Sequence, residues 1–540
     1  MPLASRPLAT GTLAPSTAAP STATTLRPGG GIDPLALLLK HDRPVPRYTS
    51  YPTAAAFHDG VGAEQLKAQL AQPSEAPLSL YVHVPFCRHA CWYCGCNRVT
   101  TQLGSKVVGP YLAALGRELE LVAAAMPQRR RLAQLHWGGG TPNYLNGSET
   151  ATLWELIGRH FDLADDLEAS IELNPEFLDR DEVLGLRRLG FNRVSFGIQD
   201  ADPEVQQAVN RVVPSDQLRR VMGWLREAGF ASVNVDLICG LPLQTPERFK
   251  ATLELVRELQ PDRIALFCFA YLPEQLPLQR KIAAADLPSQ QERIAMLQAA
   301  NALLSAHGYD AIGMDHYARR GDSLAIAARS GQLHRNFQGY TTGGELELLG
   351  VGPTAISQFE QLFCQNQRDL KAYYGALERG ELPVERGLVV RDPAVLERRS
   401  LIRAVMCDFQ VELSEARGRG WCEGVPQRAS ARMRRRSSLR SRSTERGLTA
   451  SSSSRMAFTS AWLMARLPVT ASKLAFTTWS RISASEALRA TCSSRDPGRR
   501  LPLSSITWKL SVAVVRAMGR RRDGGRVLDA GWDCLRSSQG

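Results

Sequence analysis

Four cysteines fall within the ten residues CRHACWYCGC, at Cys87, Cys91, Cys94 and Cys96. The first three have the spacing C-x3-C-x2-C, and the fourth follows as C-x-C. A structural zinc site needs a second CxxC or a histidine pair further along the chain, whereas the other cysteines here are scattered singly. A thioredoxin-like pair is C-x-x-C alone and leaves Cys87 and Cys96 without a role. Three thiolates in one short loop instead suit three corners of a [4Fe–4S] cubane. Such a cluster has one iron without a protein ligand, and that iron can bind substrate.

The loop must be held by something, and from about residue 78 short β-rich runs alternate with helical patterns. LSLYVHV (78–84), QLHW (134–137), ASIEL (169–173), RVSFGI (193–198), VNVDLI (233–238) and RIALFCF (263–269) read as strands. Between them, SDQLRRVMGWLREAG opens on Ser215 and stops at Gly229, and a second helix has Thr245 as N-cap, Pro246 at its first position and Pro261 beyond its end. Six βα units in a row predict an α/β fold with a parallel sheet. Glu172, Gln199, Asp236 and the GGGT after Trp137 stand at or just past the C-terminal ends of successive strands. Singly, each reads as readily as a cap for the next helix. Together they suit a partial (β/α)6 TIM-like barrel better than a doubly wound sheet, whose ligands sit in one crevice. GGGT lacks the GK[ST] ending of a phosphate loop. His83 shares a strand face with Tyr81, and reads as a satisfied core histidine or as a site residue.

These motifs carry a resemblance. C-x3-C-x2-C after the first strand of a βα series resembles the radical S-adenosylmethionine (SAM) superfamily. More closely, PRYTSYPTA (46–54), LSLYVHVPFC, CGCN, QLHWGGGTP, GFNRVSFGIQD, NVDLICGLP, GMDHYA and HRNFQGYTT, through to VMCDFQ (405–410), resemble the oxygen-independent coproporphyrinogen III oxidase family. Cys96 in CGCN favours this family over the related haem-chaperone branch, where an aromatic residue usually replaces it. The resemblance implies that Cys87, Cys91 and Cys94 ligate the cluster, whose open iron is chelated by SAM and whose electron cleaves SAM to a 5′-deoxyadenosyl radical. Tyr81, Gly139 and Glu172 would hold that SAM, with Ile356 on its adenine. A second SAM would meet Tyr93, Gly140, Thr141, Gln199, Arg211, Asp236 and Ala270. Cys96 and Tyr81 are the implied catalytic candidates, Cys96 as a site residue and not a fourth ligand. The implied reaction converts coproporphyrinogen III to protoporphyrinogen IX by oxidative decarboxylation of two propionates, with two SAM consumed, no oxygen, and an electron donor and acceptor that remain to be identified. Arg47 and Arg335 are candidate partners for the substrate carboxylates.

Composition bounds the rest. The net charge of +13 suggests nucleic acid until it is located. Residues 411–540 carry 25 Lys and Arg against 9 Asp and Glu, leaving 41 against 44 for residues 1–410. The body is therefore nearly neutral, and no nucleic-acid partner is expected. The last 130 residues hold 23 Arg, 2 Lys and 22 Ser, yet also apolar fragments such as AWLMARLPV with no consistent face. A basic tail that contacts RNA explains the charge alone; a wrong reading frame of GC-rich DNA explains both features. The first thirty residues contain Arg6, Arg27 and no acid or apolar core, which argues against a secretory signal. There is no run of eighteen apolar residues to predict a membrane span, and eleven cysteines in 540 residues are too few for a disulfide scaffold, which favours a reducing cytoplasm. The expected organisation is a disordered leader (1–40), an N-terminal segment (41–74), a catalytic domain (75–375) with its barrel over about 75–340, the start of a C-terminal domain (376–410), and an aberrant basic tail (411–540), acting as a monomer. Two readings compete: a haem-binding or haem-transfer protein that keeps the SAM site, and an inactive product of a disrupted gene.

Overall fold

A period of two governs the central strands. Along β1 (Leu78–Val84) the fully buried Leu78, Leu80, Val82 and Val84 alternate with Ser79, Tyr81 and His83. The same alternation puts Leu135 and Trp137 of β2 (Arg131–Gly139), Ala169 and Ile171 of β3 (Asp162–Leu173), and Val194 and Phe196 of β4 (Arg193–Gln199) in one apolar layer. Val233 and Val235 of β5 (Ser232–Cys239) and Ile264 of β6 (Arg263–Cys268) complete it. Residues of one parity share a face of a pleated sheet. This face packs under the crossover helices α1 (Ser105–Ala125), α2 (Gly147–His160), α3 (Arg180–Leu189), α4 (Ser215–Glu227), α5 (Pro246–Leu259) and α6 (Gln290–Ala306), whose buried residues join the same cluster.

The computed structural model describes residues 50–344 and 346–409. Within them β1 to β6 pair parallel in chain order, with no reversal. A doubly wound sheet has a switch point where its order reverses; its absence here is the arrangement of a partial barrel. Beyond β6, β7 (Tyr309–Gly313) and β8 (His316–Arg319) form an antiparallel hairpin paired through β8. Beyond β1 comes β9 (Glu347–Val351), parallel, and then β10 (Ile356–Gln358), β11 (Leu362–Asn366) and β12 (Val384–Val389), each antiparallel to its predecessor. The sheet is thus mixed and open, with β12 and β7 at its edges.

Register matters because it builds rows across the polar face. Tyr81 lies beside His136, and His136 beside Ser170; Glu172 lies beside Ser195, Ser195 beside Asn234, and Gly197 beside Asp236. Two sequence expectations need adjustment. Asp236 sits inside β5, three residues before its end, and not at the strand tip. β3 begins at Asp162, because the charged run DLADDLE, which masks strand character, continues the ladder. Helix starts follow local chemistry: Thr245 caps α5 by accepting from Arg248 N–H at 3.2 Å, while Ser215 is the first helical residue of α4, behind Pro214. Among the described residues no helix is long and apolar enough to cross a membrane.

Candidate functional site

The cysteine loop leaves β1 at its C-terminal end and is held on both sides. Phe86–Cys87 pairs with Val99–Thr100, and buried Cys87 places its Sγ 3.2 Å from Thr141 Oγ1. Trp92 N–H donates to Val209 O at 2.9 Å, and Asn210 Nδ2 to Ala90 O at 2.8 Å. Arg211 Nη1 stands 3.9 Å from Cys91 Sγ. Cys96 N–H points at Cys94 Sγ, 3.4 Å away, and Arg98 closes the turn by donating to the carbonyls of Cys94 and Cys96. Hydrogen bonding from Cys96, with Arg98 beside it, brings the Cys94 thiol down to about 6 against the opposing effect of burial, while Cys96 keeps its proton and is pushed well up. Burial raises Cys87.

The donor set fits a cluster. None of the eight cysteines of the described residues is in a disulfide, and the cysteine loop is flanked by two arginines. Among the described residues no three His, Cys, Asp or Glu side chains close around a point as ligands of one ion do. A cubane puts each of its cysteines on a different iron, and so holds them further apart.

On the β1–β3 side Tyr81, His83, His136 and Glu172 are linked to one another or to the backbone. His83 Nε2 lies 3.1 Å from the carbonyl of Asn97, which can only accept, so this nitrogen carries the proton and Nδ1 accepts from Tyr81 O–H at 3.1 Å. Burial lowers His83 to about 4 and keeps it neutral. His83 is therefore both a satisfied core residue and the orienting partner of Tyr81. Tyr81 stacks on His136, whose Nδ1 meets Ser170 Oγ at 2.5 Å and whose Nε2 meets Glu172 Oε1 at 3.2 Å. Gly139 N–H donates to Glu172 Oε2 at 3.3 Å. Burial alone would raise the Glu172 carboxyl, but His136 and this N–H hold it below its ordinary value. A Cβ on Gly138 would stand 2.9 Å from the Glu172 carboxylate, and one on Gly140 would stand 2.8 Å from the carbonyl of Phe86. Gly139, at φ +107°, has the His83 ring where a side chain would go. GGGT is thus the close-approach strip between β1 and Glu172, and Glu172 caps no helix.

The β4–β6 side is arranged differently. Gln199 adopts φ +65° and folds back over Gly197, where a Cβ would meet its amide and the Arg211 guanidinium. Arg211 is buried; Nη2 donates to Gly197 O at 3.2 Å, and Nε has no hydrogen-bond partner among the described residues. A buried donor of this kind marks a place for an acceptor. Asp236 receives Asn234 Nδ2 at 2.8 Å and Ser195 Oγ at 3.4 Å; burial, reinforced by the charge on Glu172, pushes it up to about 7. Gln279 Nε2 donates to both Tyr93 O and Ala270 O, at 3.2 and 3.1 Å, and so ties the cysteine loop to the segment after β6.

Ile356 opens β10 and packs with Phe57, Phe337 and Phe363, and Phe337 also touches the cluster of Tyr81, Leu348 and Ala355. Arg335 lies over the Tyr340 ring, 4.6 Å from its centroid, in the ribbon of His334–Asn336 and Gly339–Thr341. Arg47 and the expected leader and tail lie outside the described residues. Sequence reasoning missed His136, Ser170, Asn234 and Gln279. Alternation from Gly138 and Glu172 would have found the first two, and alternation from Asp236 the third; Gln279 sits in the short 3-10 helix Pro277–Lys281 and had no signal.

A family model of the radical SAM superfamily matches residues 81–256. The oxygen-independent coproporphyrinogen III oxidase of Synechocystis sp. is 47% identical over 381 residues, which are 70% of this chain and 81% of that protein. Its counterpart from Escherichia coli is 45% identical over 379 residues, 70% of this chain and 82% of that one. A solved structure of the Escherichia coli coproporphyrinogen III oxidase, described as a radical SAM enzyme, superposes with a TM-score of 0.67 at 44% identity, and covers 71% of this chain and 86% of the other.

Proposed function

The chain belongs to the oxygen-independent coproporphyrinogen III oxidase family of radical SAM enzymes, and on that premise we propose how its own residues divide the work of the oxidation. The activity is oxygen-independent oxidation of coproporphyrinogen III in haem biosynthesis, with a [4Fe–4S] cluster and SAM as cofactors. When bound, these supply a one-electron cleavage of the sulfonium and a carbon radical able to take hydrogen from a propionate.

Cys87, Cys91 and Cys94 would hold the cluster. Glu172, kept as a carboxylate by His136 and Gly139, would accept from the ammonium of the cluster-bound SAM. Tyr81, oriented by His83, would bound that site, and Ile356 would line its adenine. Arg211, with a buried donor unsatisfied by protein, would fork a carboxylate of a second SAM. Tyr93, Gly140, Thr141, Gln199, Asp236 and Ala270 would complete the second pocket. Cys96 would be a site residue: Cys96→Ser should retain iron content and lose turnover, and loss of the cluster would make it a ligand instead. Arg335, and Arg47 beyond the described residues, would meet substrate carboxylates. Action as a cytoplasmic monomer follows the same reading, as does translation of residues 411–540 in a wrong frame; that last point fails if neither other frame downstream of codon 410 encodes strand and helix periodicity.

The observation that carries the assignment is a three-cysteine loop that meets Arg211 at Cys91, with Arg211 Nε unsatisfied by protein, and that lies within reach of the charge on ionised Glu172. Its test is anaerobic turnover of the reconstituted full chain with coproporphyrinogen III, SAM and a chemical reductant. Two vinyl groups and two cleaved SAM per protoporphyrinogen IX are expected. Tight haem binding without vinyl product would favour haem transfer, and SAM cleavage without porphyrin turnover would mark a disabled chain.

A further inference from the structure

Behind the β4–β5 side a buried polar web joins three loops. Its hub is Asp200, 1% exposed. Asp200 Oδ1 accepts from Asp202 N–H at 2.7 Å and from Thr252 Oγ1 at 3.0 Å, and Oδ2 accepts from Gln244 Nε2 at 2.6 Å. Gln244 Oε1 in turn accepts from Gly240 N–H and Leu241 N–H, which fixes the orientation of its amide. The Asp200 carbonyl accepts from Gln206 Nε2 at 2.8 Å. Gln206 also bonds Val213 in both directions, and its carbonyl accepts from Arg211 N–H at 2.9 Å.

The web ends at residues that matter. Gln199, directly before Asp200, holds a positive φ, which persists only where the surroundings over-determine it. Arg211 hangs by its backbone from Gln206, and the same loop grips the cysteine loop through Val209 and Asn210. Resting on the two-SAM reading above, we propose that Asp200 is a positioning residue for the second SAM site. It touches neither cofactor; it sets where Gln199 and Arg211 stand. Asp200→Asn preserves shape but turns an amide donor toward Gln244 Nε2, whose own amide cannot flip, so that one buried donor loses its acceptor.

The test measures SAM bound per cluster by equilibrium dialysis of the anaerobically reconstituted full chain, together with iron content and the change that SAM makes to the EPR signal of the reduced cluster. Wild type should bind two SAM. D200N should keep its iron and the EPR response of the first SAM, while its second site weakens by about tenfold or more. T252V, which removes one arm of the web with little change in volume, should weaken the same site less, and T252S should restore it. Two SAM at wild-type affinities on D200N would overturn the proposal, as would equal loss of both sites. Should D200N not fold, equal second-site affinities in T252V and T252S would overturn it. One SAM on wild type would overturn the two-site reading and this inference with it.

Discussion

Glu172 and Asp236 are both partly buried carboxylates on the polar face of one sheet, yet they are driven in opposite directions. Glu172 faces His136 and a backbone N–H and is held below its ordinary value; Asp236 is hydrogen-bonded by a neutral amide and a hydroxyl and, despite the opposing charge of Arg211, rises to about 7. Burial penalises the charged form of either, so the difference lies in the donors. Donors from His136 and the Gly139 N–H keep Glu172 ready for a cation before one arrives. Asp236 is pushed further by the very charge that Glu172 retains. On the two-SAM reading proposed above, the two pockets would therefore differ in what each must give up to bind the same cationic ligand.

The largest expected effect comes from removing the prepared charge. Glu172→Gln should lower turnover at limiting SAM by about 100-fold, since a charged hydrogen bond is worth roughly 1.5–3 kcal/mol, and should abolish the EPR response to SAM with iron content unchanged. A response like that of wild type would end the distinction between the two carboxylates. Next comes a pH signature. If Asp236 engages SAM as a carboxylate, below about 7 it must lose a proton to bind. Affinity at the second site should then fall by up to about tenfold per unit as pH drops from 7 to 6, while first-site affinity stays nearly level. Asp236→Asn should flatten that profile, and a slope persisting in the variant would assign it elsewhere. The smallest effect belongs to Ser195→Ala. Its 3.4 Å bond to Asp236 is long, so second-site affinity should change by about fivefold or less, and a larger loss would make Ser195 a ligand contact.

Much of this site was legible because its chemistry is local in sequence. The cysteine spacing lies in one loop, and the six strands announced themselves as β-rich runs between helical patterns, to the residue in the case of Leu78–Val84. What stayed hidden was lateral. That Tyr81 meets His136, and His136 meets Ser170, depends on the register between strands over 30 residues apart. The additions β7 to β12 were also illegible. They are three to six residues long and mostly antiparallel, too short for a period to declare itself. Asp200 and Gln206 carried no sequence signal, since only tertiary burial distinguishes a hub from a solvated side chain.

The compactness of the ligand loop also bears on how the molecule comes into being. Cys87, Cys91 and Cys94 lie within eight residues, so bringing them together costs little loop-closure entropy. They can be gathered as soon as that stretch leaves the ribosome, before β4 or β5 has been synthesised. Arg211, which stands against Cys91, follows 120 residues later. If these cysteines hold the cluster as proposed, its capture would need only this local stretch, while its shielding by Arg211 would wait for the later strands.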